Sequence, residues 1–169
     1  MPKGLKQSSS LITIGARAVE TGANTFTQQR VDLQLNPLDN EVFVVQAIDM
    51  DPTFPESVAG VRSALSFSLT NTTQASFPLF NSSSVLAQKI QVLDNSNPLV
   101  AVYMDTASME TPPTSLDYIA IIATNDFFLQ IQGSGQVAAK GANCKVYGYR
   151  ARADASVYAA LVQSELLSQ

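Results

Sequence analysis

Histidine and tryptophan are absent from this chain of 169 residues, and cysteine occurs once, as Cys144. Without histidine there is no Ser-His-Asp or Cys-His arrangement, no imidazole metal ligand, and no general base of the commonest kind. A single cysteine excludes an intrachain disulfide and any thiolate zinc cluster; in a strand pattern it reads as a buried, inert thiol. Lacking tryptophan, the chain has none of the largest aromatic platforms on which sugars stack. Charge is scarce too, at 14% of residues against 46% apolar, about half the usual charged share. The net charge of −4 supplies no basic field to hold a nucleic acid through counterion release.

Long apolar runs are also missing. No stretch reaches the ~20 residues that span a bilayer. The opening MPKGLKQSSSLITIGARAV has no apolar h-region of ~7–15 residues. A protein made in the cytoplasm, with neither signal peptide nor transmembrane segment, is the expectation. No phosphate-binding loop appears, since Gly133-Ser134-Gly135 lacks the third glycine and the following helix that a dinucleotide fingerprint needs.

What remains is β pattern. Residues 1–10 read as a flexible N-terminal arm carrying Lys3 and Lys6, and residues 11–169 as a single β-sandwich domain with a C-terminal helix over 154–168. Strands are predicted at 28–35, 41–49, 63–70, 85–93, 99–105, 118–124, 127–132 and 143–152, with 11–19 a looser candidate. SALSFSLT (63–70) alternates most cleanly: Leu65, Phe67 and Leu69 face in, while Ala64, Ser66, Ser68 and Thr70 face out. EVFVVQAIDM (41–50) is apolar on both faces, as in a mid-sandwich strand or at a subunit contact. In the polar connection 71–84, Phe77, Leu79 and Phe80 are candidate anchors; 106–115 reads as an extended linker and 133–142 as a flexible glycine loop. From Asp154 the period changes, and Ala155, Tyr158, Ala159, Val162 and Leu166 mark the expected buried stripe of a helix.

Chemistry rests on carboxylates. Asp49, Asp51, Asp94, Asp105, Asp117 and Asp126 lie at predicted strand ends, where converging oxygens bind Ca²⁺ in some proteins. No EF-hand spacing is present, and solvated loop-end carboxylates are the expectation. Arg150 and Arg152 project to one face, suited to pairing with neighbouring carboxylates or to an intersubunit contact. No catalytic, cofactor-binding or metal-ligating residue is assigned, and the chain is not read as an enzyme.

Eight antiparallel strands, an arm before them and a helix after them fit a single jelly roll; the count also fits an immunoglobulin-like sandwich. The hairpin-like connection at 94–98 would join the fourth and fifth strands, which pair within one jelly-roll sheet. The short Asn125-Asp126 turn would then cross between sheets. As a pattern of strands over roughly residues 11–169, the chain resembles the single jelly-roll coat proteins of icosahedral viruses. That resemblance implies a virion protein, a capsid, turret or decoration subunit, whose partners are copies of itself and other virion subunits. The two-lysine arm departs from the strongly basic arms of many RNA-packaging coats, so strong nucleic-acid binding is not expected. A carbohydrate- or receptor-binding β-sandwich, facing a host-surface glycan, is the alternative.

Overall fold

Period-2 alternation becomes two packed antiparallel sheets in the computed structural model, which describes residues 3–97, 99–107 and 116–167. In chain order the strands are β1 (Leu5–Gln7), β2 (Ile12–Val19), β3 (Thr27–Asp32), β4 (Glu41–Pro52), β5 (Arg62–Thr70), β6 (Val85–Asn97), β7 (Val100–Ala107), β8 (Ala120–Ile122), β9 (Asp126–Ser134) and β10 (Gly141–Ala153). A 3₁₀ turn at Pro37–Asp39 precedes β4, and helix α1 (Ala155–Leu167) follows β10. One sheet runs β2–β10–β4–β8, with β1 beside the far end of β10; the other runs β3–β9–β5–β6–β7. From 108 onward the expected linker lies outside the described residues until 116, as do the first two residues of the arm and position 168 of the expected helix.

Leaving out β1 and β7 and numbering the other eight strands along the chain, the sheets read 1-8-3-6 and 2-7-4-5. That is the strand order of a jelly roll. Among the described residues there are ten strands rather than the expected eight, and the first strands of the roll differ from those expected. β2, the looser candidate, is the first strand of the roll. Its Ile12, Ile14, Ala16 and Ala18 face the core, while Thr13, Gly15 and Arg17 face out. β6 and β7 do form a hairpin, but β7 is an added edge strand outside the eight. The Asn125-Asp126 step does cross between the sheets, because β8 lies in one and β9 in the other.

The core between the sheets holds Phe43, Val45, Leu65, Phe67, Leu69, Ile122, Phe127, Leu129 and Ile131, all essentially without solvent contact. On β6 the core-facing side turns polar: Gln91 faces Leu65 and Lys89 faces Phe67. This is where the sandwich ends. β7 continues its sheet past that limit, because β1 and β2 share one edge and leave the opposite sheet only four strands wide.

β4 is apolar on both faces for an intrachain reason. Across from β10 the register shifts between Tyr147 and Gly148, leaving Gln46 as the extra residue of a β-bulge. Phe43, Val45, Ile48 and Met50 then point inward. Val42 and Val44 point outward into a second cluster with Leu5, Tyr149, Ala151 and Ala153, which α1 covers through Val157, Tyr158, Leu161 and Val162. Gly148 makes the close crossing there: a Cβ would lie 2.2 Å from the Val44 carbonyl oxygen and 2.8 Å from the Phe43 ring.

The N-terminal segment differs from the expected free arm. Leu5, Lys6 and Gln7 pair with Ala153, Arg152 and Ala151, and the side chain of Leu5 enters the second cluster. Burial of that leucine, worth about 2 kcal/mol, together with strand pairing outweighs the polarity of its neighbours. Ser68 and Thr70 do leave the core side of β5, yet both are fully buried, because residues 71–84 fold back over them. Polar bonds hold that cover: the Gln130 side-chain amide donates to Thr70 Oγ1 (2.7 Å) and Gln28 Oε1 (3.0 Å), and the Gln74 backbone N–H donates to Gln28 Oε1 (2.8 Å). Pro78 is buried and Phe77 half-buried, whereas Leu79 and Phe80 are exposed and anchor nothing.

Candidate functional site

α1 docks on a line different from the predicted stripe. Val157, Tyr158, Leu161, Val162 and Glu165 face the protein, and Ala155, Ala159 and Leu166 face solvent. The one residue of this helix that is fully buried is its only charged one, Glu165. Its carboxylate accepts from the backbone N–H groups of Ala123 (2.9 Å) and Thr124 (2.8 Å), at the corner where the chain leaves β8 for β9. Burial raises its pKa above the ordinary glutamate value, and the N–H bonds of Ala123 and Thr124 and the Thr124 and Asn71 side chains pull against that rise. Beside it opens a cleft of about 460 Å³ between α1, Phe128, Leu35, Asn71 and Asn125. A mostly apolar hollow with a few convergent polar groups suits a ligand or an inserted segment. Leu166 and Leu167 stand exposed on its rim side of the helix.

The opposite end of the sandwich is built differently. The loop after β9 is held by side chains from two other loops, so the expected flexible glycine loop is a fixed one. Glu20, buried, accepts from the N–H groups of Gly133 (2.6 Å) and Lys140 (2.9 Å). Glu56 accepts from Val137 N–H (2.6 Å) and pairs with the Lys140 ammonium (3.0 Å); those bonds, the Val137 N–H foremost, lower its pKa. Asn24 and Gln136 exchange side-chain and backbone bonds of 2.9 and 2.8 Å. Val137 and Phe54 are left exposed on this rigid frame.

The third feature is the overhanging hairpin. Val102 and Met104 sit on the outer face of β7, opposite Asp94 and Val92 of β6, and Tyr103 lies on the other face, its ring 5.6 Å from that of Phe54. Residues 101–106 are all exposed.

The carboxylates singled out in the sequence do not converge. Asp49 and Asp51 share the outer face of β4, opposite Lys145 and Asn143. Tyr147 donates to Asp49 at 3.3 Å and Asn143 to Asp51 at 3.4 Å, beside an open hollow of about 520 Å³. Asp94 accepts from the Ser96 hydroxyl and N–H, which lower its pKa. Asp105 pairs with Lys89 (3.4 Å) and Asp126 with Arg30 (2.7 Å), while Asp117 lies ahead of β8. Among the described residues, no three acidic or cysteine side chains form a metal-binding group. Arg150 pairs with Glu41 (3.6 Å) and Arg152 with Asp39 (3.4 Å). Cys144 is buried in the main core, where desolvation and the charge of Asp49 push its thiol to about 12.

Glu165 escaped the sequence reading, although a signal existed. Val157, Leu161 and Glu165 fall at i, i+4 and i+8, one line on a helix, and the glutamate at its end reads as solvent-facing unless a strand corner offers donors. Glu20 and Glu56 carry no such local signal, since their partners lie more than 80 residues away.

No family model matches the chain, and no curated protein matches it. Among solved structures it is similar to the tailspike protein gp49 of Acinetobacter baumannii bacteriophage Fri1, a capsular polysaccharide depolymerase, at 14% identity with a TM-score of 0.15. The similarity covers 72% of this chain and 20% of that one. The fold established for this chain is an all-β sandwich of two antiparallel sheets with one C-terminal helix, and among the described residues no helix is long and apolar enough to cross a membrane.

Proposed function

We propose that this chain is a structural subunit of a virus particle, a jelly-roll capsid, turret or decoration protein that acts by associating with copies of itself and with other virion subunits. The observation that carries the reading is the overhang of β7, an apolar strand exposed on both faces beyond the sandwich. Apolar surface left in water is the main reservoir of association free energy. The jelly-roll strand order supports the reading by fold analogy. The carboxylates, dispersed and tied to neighbours, are given no catalytic role. Sedimentation velocity and negative-stain microscopy of the purified chain test it: concentration-dependent oligomers, rings or shells are expected, and a monomer at all concentrations would refute it.

A second reading, a glycan- or receptor-binding module, draws on the open polar face of β2, β10 and β4. There Arg17, Asn143, Lys145, Tyr147, Asp49 and Asp51 line a surface with hydroxyl-binding chemistry. Saturable binding on a glycan array, lost in Asp49→Ala/Asp51→Ala, would favour it over a purely assembling subunit.

A further inference from the structure

We infer that β7 is a homotypic interface, pairing edge to edge and antiparallel with β7 of a second copy of this chain. The inference rests on the self-assembly reading above and deepens it by naming the contact.

Four edges close the two sheets, and three are guarded. β3 carries Gln28, Gln29 and Arg30, β2 carries Arg17, and β8 is only three residues long. Charged, polar or short edges are how β proteins keep strands from joining. β7 lacks these guards. Over its eight residues, VAVYMDTA, there is no lysine, arginine or proline. Val100, Val102, Tyr103 and Met104 are 56%, 46%, 43% and 42% exposed. Among the described residues no strand lies on its outer side. An open row of backbone N–H and C=O groups selects an extended strand as the occupant, rather than a helix or a small molecule.

Self-complementarity points to a second copy. The chain carries a net −4, which opposes bringing two copies together, so the contact must add no like-charge repulsion of its own. The single charge of β7, Asp105, is already paired with Lys89 of the same chain at 3.4 Å. The edge is therefore neutral, and it is self-complementary as well. Directly opposed residues of an antiparallel pair share one face of the sheet. A two-fold axis normal to the sheet must then centre on a residue, and Val102, Tyr103 and Met104 are the central choices. Centring on Val102 opposes Val100 to Met104 of the second copy; centring on Tyr103 opposes Val102 to Met104. In all three registers Asp105 avoids its own counterpart, so no like charges face each other.

Cysteine scanning of the full chain tests this. Val102→Cys, Tyr103→Cys and Met104→Cys are oxidised separately, with exposed Val137→Cys as control; buried Cys144 does not compete. The expected result is a disulfide dimer that forms about tenfold faster at one of the three positions than at the control. In parallel, Val102→Lys/Met104→Lys, checked for folding by circular dichroism, weakens association about tenfold. A chain that oligomerises but links no faster at 102–104 than at 137 overturns the β7 contact and leaves self-assembly standing. A chain that stays monomeric at all concentrations overturns both.

Discussion

Removing the Glu165 carboxylate should loosen the helix from the sandwich, and the cost can be worked from its bonds. In Glu165→Ala the N–H groups of Ala123 and Thr124 lose acceptors at 2.9 and 2.8 Å. Each buried donor left without a partner costs about 1–3 kcal/mol. Ala123 is buried and stands near the upper end; Thr124 borders the cleft, where water reaches it, and stands near the lower. Together they give roughly 2–4 kcal/mol, or about 5–15 °C in Tm for a domain of this size. Glu165→Gln keeps one acceptor oxygen but turns an NH₂ toward the second donor, so it should lose about half as much.

The pH dependence carries a definite sign. Burial raises the folded pKa of Glu165 above its ordinary value of 4.5. Folded protein then holds the proton to higher pH than unfolded protein does. The contribution of this titration to stability is thus fully present below about 4.5 and is lost as pH rises toward the folded value. Melting temperatures of the native chain and Glu165→Gln, measured by calorimetry from pH 4 to 8, test both parts. The native advantage should shrink as pH rises from the ordinary glutamate value and then level off. An advantage that grows with pH would mean the N–H bonds outweigh burial and the carboxylate is preferentially ionised. Glu165→Ala melting within about 1 °C of the native chain would refute its anchoring role.

Gly148→Ala places a methyl 2.2 Å from the Val44 carbonyl oxygen; urea denaturation should show a loss of about 2–3 kcal/mol or more, and a loss below ~0.5 would contradict the close crossing. Glu20→Gln should speed hydrogen exchange at the Gly133 and Lys140 amides while leaving the β5 amides unchanged; equal rates would mean the loop is held without that carboxylate. Cys144 should resist a thiol reagent in the native chain and react fully on adding denaturant, and fast native labelling would place it outside the core.

Sequence and structure agree where one face is apolar and the pattern is local. β5 was legible because Leu65, Phe67 and Leu69 alternate with small polar residues, and each does pack in the core. β2 was legible in the same way but weaker in signal, since alanines share its inner face with two isoleucines. With β2 as the first strand of the roll, the strands at 28–35, 41–49, 63–70 and 85–93 each move one place along, while the last three keep the places expected of them. The bulge at Gln46 was not legible, because an extra residue is defined only by the strand opposite. The same holds for α1: five of its apolar residues formed a plausible stripe, but the strand corner at Ala123 and Thr124 needed an acceptor, and that need turned Glu165 inward. Polar satisfaction, rather than the apolar pattern, set the helix's rotation.

This also separates surfaces that can bind from surfaces that are already bound. At the loop end, Glu20, Asn24, Glu56 and Gln136 direct their hydrogen-bonding groups at the chain's own backbone. A partner meeting that end would have to exchange those bonds for others of similar strength, with little net gain. β7 is in the reverse position. Its valines, tyrosine and methionine face water on both sides of the strand, and its outer backbone groups have no strand beside them among the described residues. Covering it removes apolar area from water and replaces no existing internal contact. Its hairpin partner β6 is anchored by pairing along its length with β5, so little ordering entropy remains to oppose a contact there. On the proposed self-assembly reading, the overhang is therefore where covering apolar surface gains most, and the loop end, with its polar groups already satisfied, is where it gains least.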